Sequence, residues 1–138
     1  IPIQIREYQP SDYADVKACL EEGGLFDEVW DSEQNLRAKI ERDSESILVA
    51  VVDGEVIGNV YLVQDGWASF IFRLAVREKY RERGIGSKLL IEAEDRLRQR
   101  GVKEAALFAD DREFSLPAFY AKRGYKNSGP YRNMWKKL

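Results

Sequence analysis

Two glycines set among arginines carry the clearest chemistry in this chain: Arg81-Glu82-Arg83-Gly84-Ile85-Gly86-Ser87. Glycine permits a tight turn and lets a ligand approach the backbone closely. Ile85, Leu89, Ala93 and Leu97 then recur at helical spacing, so the turn opens a helix. A helix N-terminus presents N–H groups without intrahelical partners and a partial positive charge. Such an end holds anions. Arg81 and Arg83 add formal charge, and Ser87 adds a hydroxyl donor. The spacing narrows the anion. A P-loop requires Gly-Lys-Ser/Thr, whereas Lys88 here follows Ser87. A dinucleotide fingerprint requires a third glycine where Leu89 stands, inside an early βαβ unit. Neither pattern fits.

The elements that must hold this turn follow from periodicity and turn chemistry. Ile3 and Ile5 alternate with polar residues as a first strand. Pro10-Ser11 caps a helix striped by Val16 and Leu20, which Gly23-Gly24 ends. Ser32 caps a second helix through Leu36 and Ile40. Ile47–Val52, Val56–Val63 and Trp67–Val76 form a meander, turned at Asp53-Gly54 and Asp65-Gly66. The helix after Gly84 closes at Gly101. Ala105–Ala109 is expected as a short strand, and Ser115–Arg123 as a helix with Pro117 in its first turn. Tyr125–Lys126 and Tyr131–Lys137 are expected as a closing strand pair. The fold class is α+β, a mixed, mostly antiparallel sheet flanked by helices. Residues 1–138 read as a single domain.

Composition bounds the chemistry. The chain has 138 residues, no histidine and one cysteine, Cys19. A histidine triad, a His-ligated metal and a disulfide framework are excluded, and no metal is expected. No stretch approaches the ~20 apolar residues of a membrane span, and no signal-peptide pattern opens the sequence. The default expectation is a cytoplasmic protein without a membrane partner. The net charge of -2 hides a split. Residues 1–66 hold fifteen acids and five bases; residues 67–138 hold nine acids and seventeen bases. The basic half suits an anion, and the acidic half suits a cationic acceptor. A chain acidic overall is not expected to bind nucleic acid.

With these residues in place, the chain resembles the GNAT superfamily of acetyl-CoA-dependent N-acetyltransferases. That family's Gln/Arg-x-x-Gly-x-Gly/Ala motif is matched by Arg81 to Gly86, after a matching Leu74 to Arg81 stretch. Phe119–Tyr125 (Phe-Tyr-x-Lys-x-Gly-Tyr) matches a second motif, with Tyr125 where the family usually has Phe. The resemblance covers essentially the whole chain. It implies the single-domain GNAT fold and acetyl-CoA as cosubstrate; members of that family often form homodimers, which leaves the oligomeric state open. It also implies that the strand ending at Val76 splays from Ala105–Ala109 to admit pantetheine. Backbone groups of Leu74, Ala75 and Val76 would pair with it, a backbone N–H near Val76 polarising the thioester. The pyrophosphate would rest on Arg81, Glu82, Arg83, Gly84, Ile85, Gly86 and Ser87. Tyr120 would touch the cofactor and protonate the departing thiolate. The family's frequent Asn seven residues before that tyrosine is Glu113 here.

Aminolysis of a thioester needs a neutral amine, a polarised carbonyl and a proton for sulfur. A phenol can supply that proton. Without histidine, the base is a carboxylate or water: Asp65, Asp110, Asp111 and Glu113 are candidates. Phe26 and Trp30 are candidate walls of an acceptor pocket. Cys19 lies beside the first helix's apolar stripe, so direct attack is expected rather than a covalent cysteine route. The resulting function is acetyl transfer to a primary amine, a small amine or a protein amino group. The rivals are a non-catalytic acyl-CoA-binding module and a CoA-independent phosphate-binding domain.

Overall fold

A computed structural model describes residues 2–110, 112–113 and 115–138. The described residues divide into two compact units, 1–107 and 108–138.

The first unit contains an antiparallel meander in the order β1-β2-β3-β4. Its strands are β1 (Gln4–Glu7), β2 (Ile47–Val52), β3 (Glu55–Gln64) and β4 (Ser69–Val76). The apolar run of β2 is buried throughout, because its two faces are both covered. One face, carrying Ile47, Val49 and Tyr61, packs on α1 (Tyr13–Glu22) and α2 (Glu33–Arg42). The other meets α3 (Ile85–Gln99), whose Leu89 closes on Gly58. A Cβ at Gly58 would stand 3.1 Å from both the Ala75 carbonyl oxygen and the Leu89 Cδ1. That glycine therefore sets how closely α3 approaches β3.

Local signals account for the helix ends. Ser32 has extended backbone, and its Oγ accepts the Asn35 N–H at 3.2 Å. This cap contributes about 1 kcal/mol to helix stability. The α1 helix follows a single 3-10 turn, Pro10–Asp12, and ends at Gly23-Gly24 as its sequence requires.

Two expectations are corrected. Ala105–Ala109 is not a strand: its pairing is one parallel bridge, Phe70 to Ala106. The Ile71 N–H donates to the Ala106 carbonyl at 2.9 Å. The closing strand pair at Tyr125–Lys126 and Tyr131–Lys137 is also not formed. A strand exists through its ladder partners. Here Tyr131, Met134 and Trp135 stand exposed beside Gly129-Pro130 and a run of bases.

The second unit holds α4 (Ser115–Ala121). Its C-terminal end is a Schellman motif. The Tyr125 N–H donates to the Tyr120 carbonyl at 3.1 Å, and the Gly124 N–H to that of Ala121 at 3.1 Å. Gly124 takes φ +92, which this cap needs. The Tyr120 and Tyr125 rings meet edge-on at 5.8 Å, the apolar contact that accompanies such a cap.

Candidate functional site

The glycine turn has the geometry of an anion grip. β4 ends at Val76, a 3-10 turn spans Glu78–Tyr80, and α3 begins at Ile85. Glu82 and Gly84 both take positive φ, +63 and +78, so the chain reverses sharply into the helix. Gly84 adds no Cβ to the mouth of the turn, and the first helical turn contains no acid. The α3 ladder begins with the Lys88 N–H donating to the Gly84 carbonyl at 3.1 Å. The N–H groups of Ile85 and Gly86 precede it and have no intrahelical partner. Arg81, Glu82 and Arg83 are exposed, and Ser87 is half-buried. The Arg81 Nε donates to the Val76 carbonyl at 2.9 Å, folding that arginine across the strand end. Arg83 lies 5.3 Å over the Tyr80 ring. Glu22, at the end of α1, anchors the approach: it binds Arg77 Nε at 2.6 Å and accepts the Glu78 N–H at 2.8 Å.

A bulge in β4 lies just before this turn. Tyr61 pairs with Phe72 and Asn59 with Ala75, leaving Arg73 and Leu74 opposite Val60 alone. Arg73 takes φ +54. A left-handed conformation costs a non-glycine residue about 1–2 kcal/mol, so something must hold it. Two contacts do. The Asn59 Nδ2 donates to the Arg73 carbonyl at 2.8 Å. The Arg73 guanidinium donates to Asp31, Nε at 3.3 Å and the terminal nitrogen at 3.2 Å. Asp31 also accepts the Tyr61 hydroxyl at 3.1 Å and the Asp27 N–H at 2.9 Å. It is 1 % exposed. Leu74 and Val76 are half-buried and Ala75 is buried. Among the described residues of 1–107, only the Phe70–Ala106 bridge covers β4's outer edge, so residues 74–76 face no ladder partner there.

On the α2 side of the same strand lies an open groove of about 900 Å³. Its walls come from the α1–α2 connection, α2, the end of β3 and Phe72-Arg73. Trp30 lines it; Phe26 does not, and packs on the core below Lys17. Lys39 donates to the Leu62 carbonyl at 2.8 Å and stands over the Phe72 and Tyr61 rings. Burial pulls its ammonium down to about 8. Several acids of the first half are answered by later arginines: Glu22 by Arg77, Asp31 by Arg73, and Asp43 and Glu45 by Arg100. The charge split therefore joins sequence halves that meet in this unit.

The base candidates fare unequally. Asp65 spends its carboxylate on the N–H groups of Ala68 and Trp67, which hold it below the usual carboxylate range. Asp110 is drawn down to about 2 by the Arg112 side chain. Both are poor bases. Glu113 is exposed, and Asp111 lies outside the described residues. Burial pushes the Cys19 thiol up to about 12, so it stays protonated and unreactive. Tyr120, in the second unit, lies edge-on to Phe119 and Tyr125. Burial raises its hydroxyl, which keeps it protonated at neutral pH.

Sequence reasoning had passed over Asp31, Lys39, Tyr61 and Arg73. Two of them did leave a signal. Lys39 falls one turn after Leu36 on the buried side of α2, and Arg73 interrupts the apolar run Phe70–Val76. Among the described residues, no cluster of acidic or sulfur side chains suits a metal. No described helix is long and apolar enough to cross a membrane.

Comparison with known proteins identifies the family and the fold. The family described as the acetyltransferase (GNAT) family matches residues 8–125. Acetyltransferase YE1169 of Yersinia enterocolitica is 28% identical over 124 residues, covering 90% of this chain and 88% of that protein. The crystal structure of Ard1 from Thermoplasma volcanium superposes with a TM-score of 0.81 at 22% identity, covering 94% and 86% of the two chains. The PaiA N-acetyltransferase of Thermoplasma acidophilum, solved in complex with coenzyme A, gives 0.78 at 23% identity, covering 91% of each.

Proposed function

Because this chain belongs to the GNAT family of acetyltransferases, we propose that it moves the acetyl group of acetyl-CoA to a primary amine by direct attack. The observation that carries this reading is the turn between β4 and α3, with Gly84 at φ +78 and the Ile85 and Gly86 N–H groups lacking intrahelical partners. The positive helix end, the two arginines and these donors suit a pyrophosphate. Arg81, Glu82, Arg83, Gly84, Ile85, Gly86 and Ser87 are the proposed cradle. The open edge at Leu74, Ala75 and Val76 is the proposed pantetheine contact. The family match runs through both units, which supports treating 1–138 as one acetyltransferase domain.

The amine nitrogen attacks the thioester carbonyl carbon, and a backbone N–H at the end of β4 stabilises the developing oxyanion. The C–S bond then breaks. Tyr120 gives its proton to the thiolate, and the nitrogen releases its own proton to water or to a carboxylate. The inert Cys19 thiol supports transfer without a covalent enzyme intermediate. An ammonium acceptor is cationic until it loses a proton.

Calorimetry with acetyl-CoA tests the donor half: binding is expected, and its absence overturns the reading. Tyr120→Phe tests the acid. The turnover number is expected to fall about 100-fold with acetyl-CoA affinity retained. Binding of acetyl-CoA without thiol release across a broad amine panel would instead identify a non-catalytic acyl-CoA-binding protein.

A further inference from the structure

The charges lining the groove do not cancel. Its basic residues are Lys39, Arg42, Arg73 and Arg100, against the acids Asp31 and Asp43. Arg73 is bound to Asp31 and Arg100 to Asp43. Lys39 and Arg42 remain, three residues apart on one side of α2. Lys39 uses one of its three donors on the Leu62 carbonyl. Among the described residues Arg42 forms no hydrogen bond or ion pair, and its guanidinium is exposed.

The aromatic wall is already taken by a cation. The Lys39 Nζ lies 5.1 Å from the Phe72 ring centre and 5.8 Å from that of Tyr61. Such faces attract ammonium groups. A ligand ammonium entering here would meet Lys39 over the rings and Arg42 at the rim. A carboxylate would meet two cations with donors to spare.

We infer that this groove binds the acceptor through a carboxylate held by Lys39 and Arg42, so that the substrate is an amino acid whose reacting amine lies several bonds from that carboxylate. The inference rests on the acetyl-transfer reading, which places the reacting carbonyl near Val76. Phe72, beneath Lys39, is four residues back along β4. At the rise of a strand that is roughly 13 Å, shortened by the bulge. The amine and carboxylate of an α-amino acid are too close together to span it. An ω-amino acid held at Lys39 and Arg42 covers far more of that distance.

Three probes of equal length separate the possibilities: 6-aminohexanoate, its amide, and 1,6-diaminohexane. Each presents the same amine, with a negative, neutral or positive far end. The carboxylate is expected to show about tenfold higher kcat/KM than the amide, through KM, with the diamine poorest. Arg42→Gln and Lys39→Met are each expected to remove most of the carboxylate's advantage over the amide. Arg42→Gln changes only an exposed side chain, so misfolding would not explain its effect. Equal or better turnover of the diamine overturns the inference. So does an unchanged preference in both variants, or acetylation of other amines with none of these three; in each case acetyl transfer stands. If acetyl-CoA itself does not bind, the transfer reading falls separately. Calorimetry of the protein alone with 6-aminohexanoate and the diamine then decides the groove. Tighter binding of the carboxylate supports it, and no preference ends it.

Discussion

The glycine turn and the groove share strand β4 but are built by opposite means. The turn is backbone: Gly84 frees the chain to reverse, and the first N–H groups of α3 are left without intrahelical partners. Its residues are consecutive, and most of its side chains are exposed. The groove is made of side chains. Asp31, Lys39, Tyr61 and Arg73 come from four segments and meet only in the folded unit. The turn can therefore be weakened locally. The groove's buried network is coupled, because each partner leaves another unsatisfied when removed.

That contrast can be broken in measurable steps. The largest effect is expected from Asp31→Ala. It strands the Arg73 guanidinium and the Tyr61 hydroxyl and removes the anchor of a left-handed residue. Removing one partner of a buried pair costs about 3–5 kcal/mol. Urea unfolding should show that loss, and acetyl-CoA binding should weaken with it if the bulge positions residues 74–76. A loss below about 1 kcal/mol would mean that the network does not hold the bulge.

Gly84→Ala probes the turn itself. A Cβ there meets no atom within 4 Å, so the cost is conformational strain at φ +78 alone. About 1–2 kcal/mol of stability should be lost, and the acetyl-CoA Kd should rise measurably in calorimetry. An unchanged Kd would move the pyrophosphate elsewhere. Ser32→Ala removes the α2 cap and should cost about 1 kcal/mol by thermal or chemical unfolding. It leaves the turn's geometry intact, so acetyl-CoA affinity should not change.

The smallest effect is a slope with pH, because solvent still reaches part of Lys39. Its folded value, about 8, lies below its ordinary value of 10.5. Between those two, the unfolded chain binds the extra proton, so stability should rise as pH rises from 8 to 10.5. Asp43, Arg42 and Leu62's carbonyl are the neighbours that share this balance. Relative to Lys39→Met, the wild type should gain stability across that window. Parallel curves for the two proteins would place the lysine in water.

Legibility followed chain locality. The caps at Ser32 and Gly23-Gly24, the Asp53-Gly54 hairpin and the Gly84 turn were readable because each depends on a few adjacent residues. The strand expected at Ala105–Ala109 shrank to the single bridge at Ala106 because apolar composition does not supply a partner. The Tyr131–Lys137 expectation failed for the same reason. The Phe119–Tyr125 motif was readable as a family mark; the folded chain adds that Gly124 and Tyr125 close the helix behind Tyr120.

The sequence by itself determined the order of helices and strands as far as the helix after Gly84, the glycine turn at Arg81–Gly86 and the absence of histidine chemistry, since these are properties of neighbouring residues or of composition. Only the tertiary structure decided that Glu22, Asp31, Asp43 and Glu45 are occupied by later arginines, that Arg73 is bent into a bulge by Asp31, and that Lys39 and Arg42 are left over at a groove. Charge balance at a site depends on which groups meet across the fold, and that pairing is not written in any local stretch of the chain.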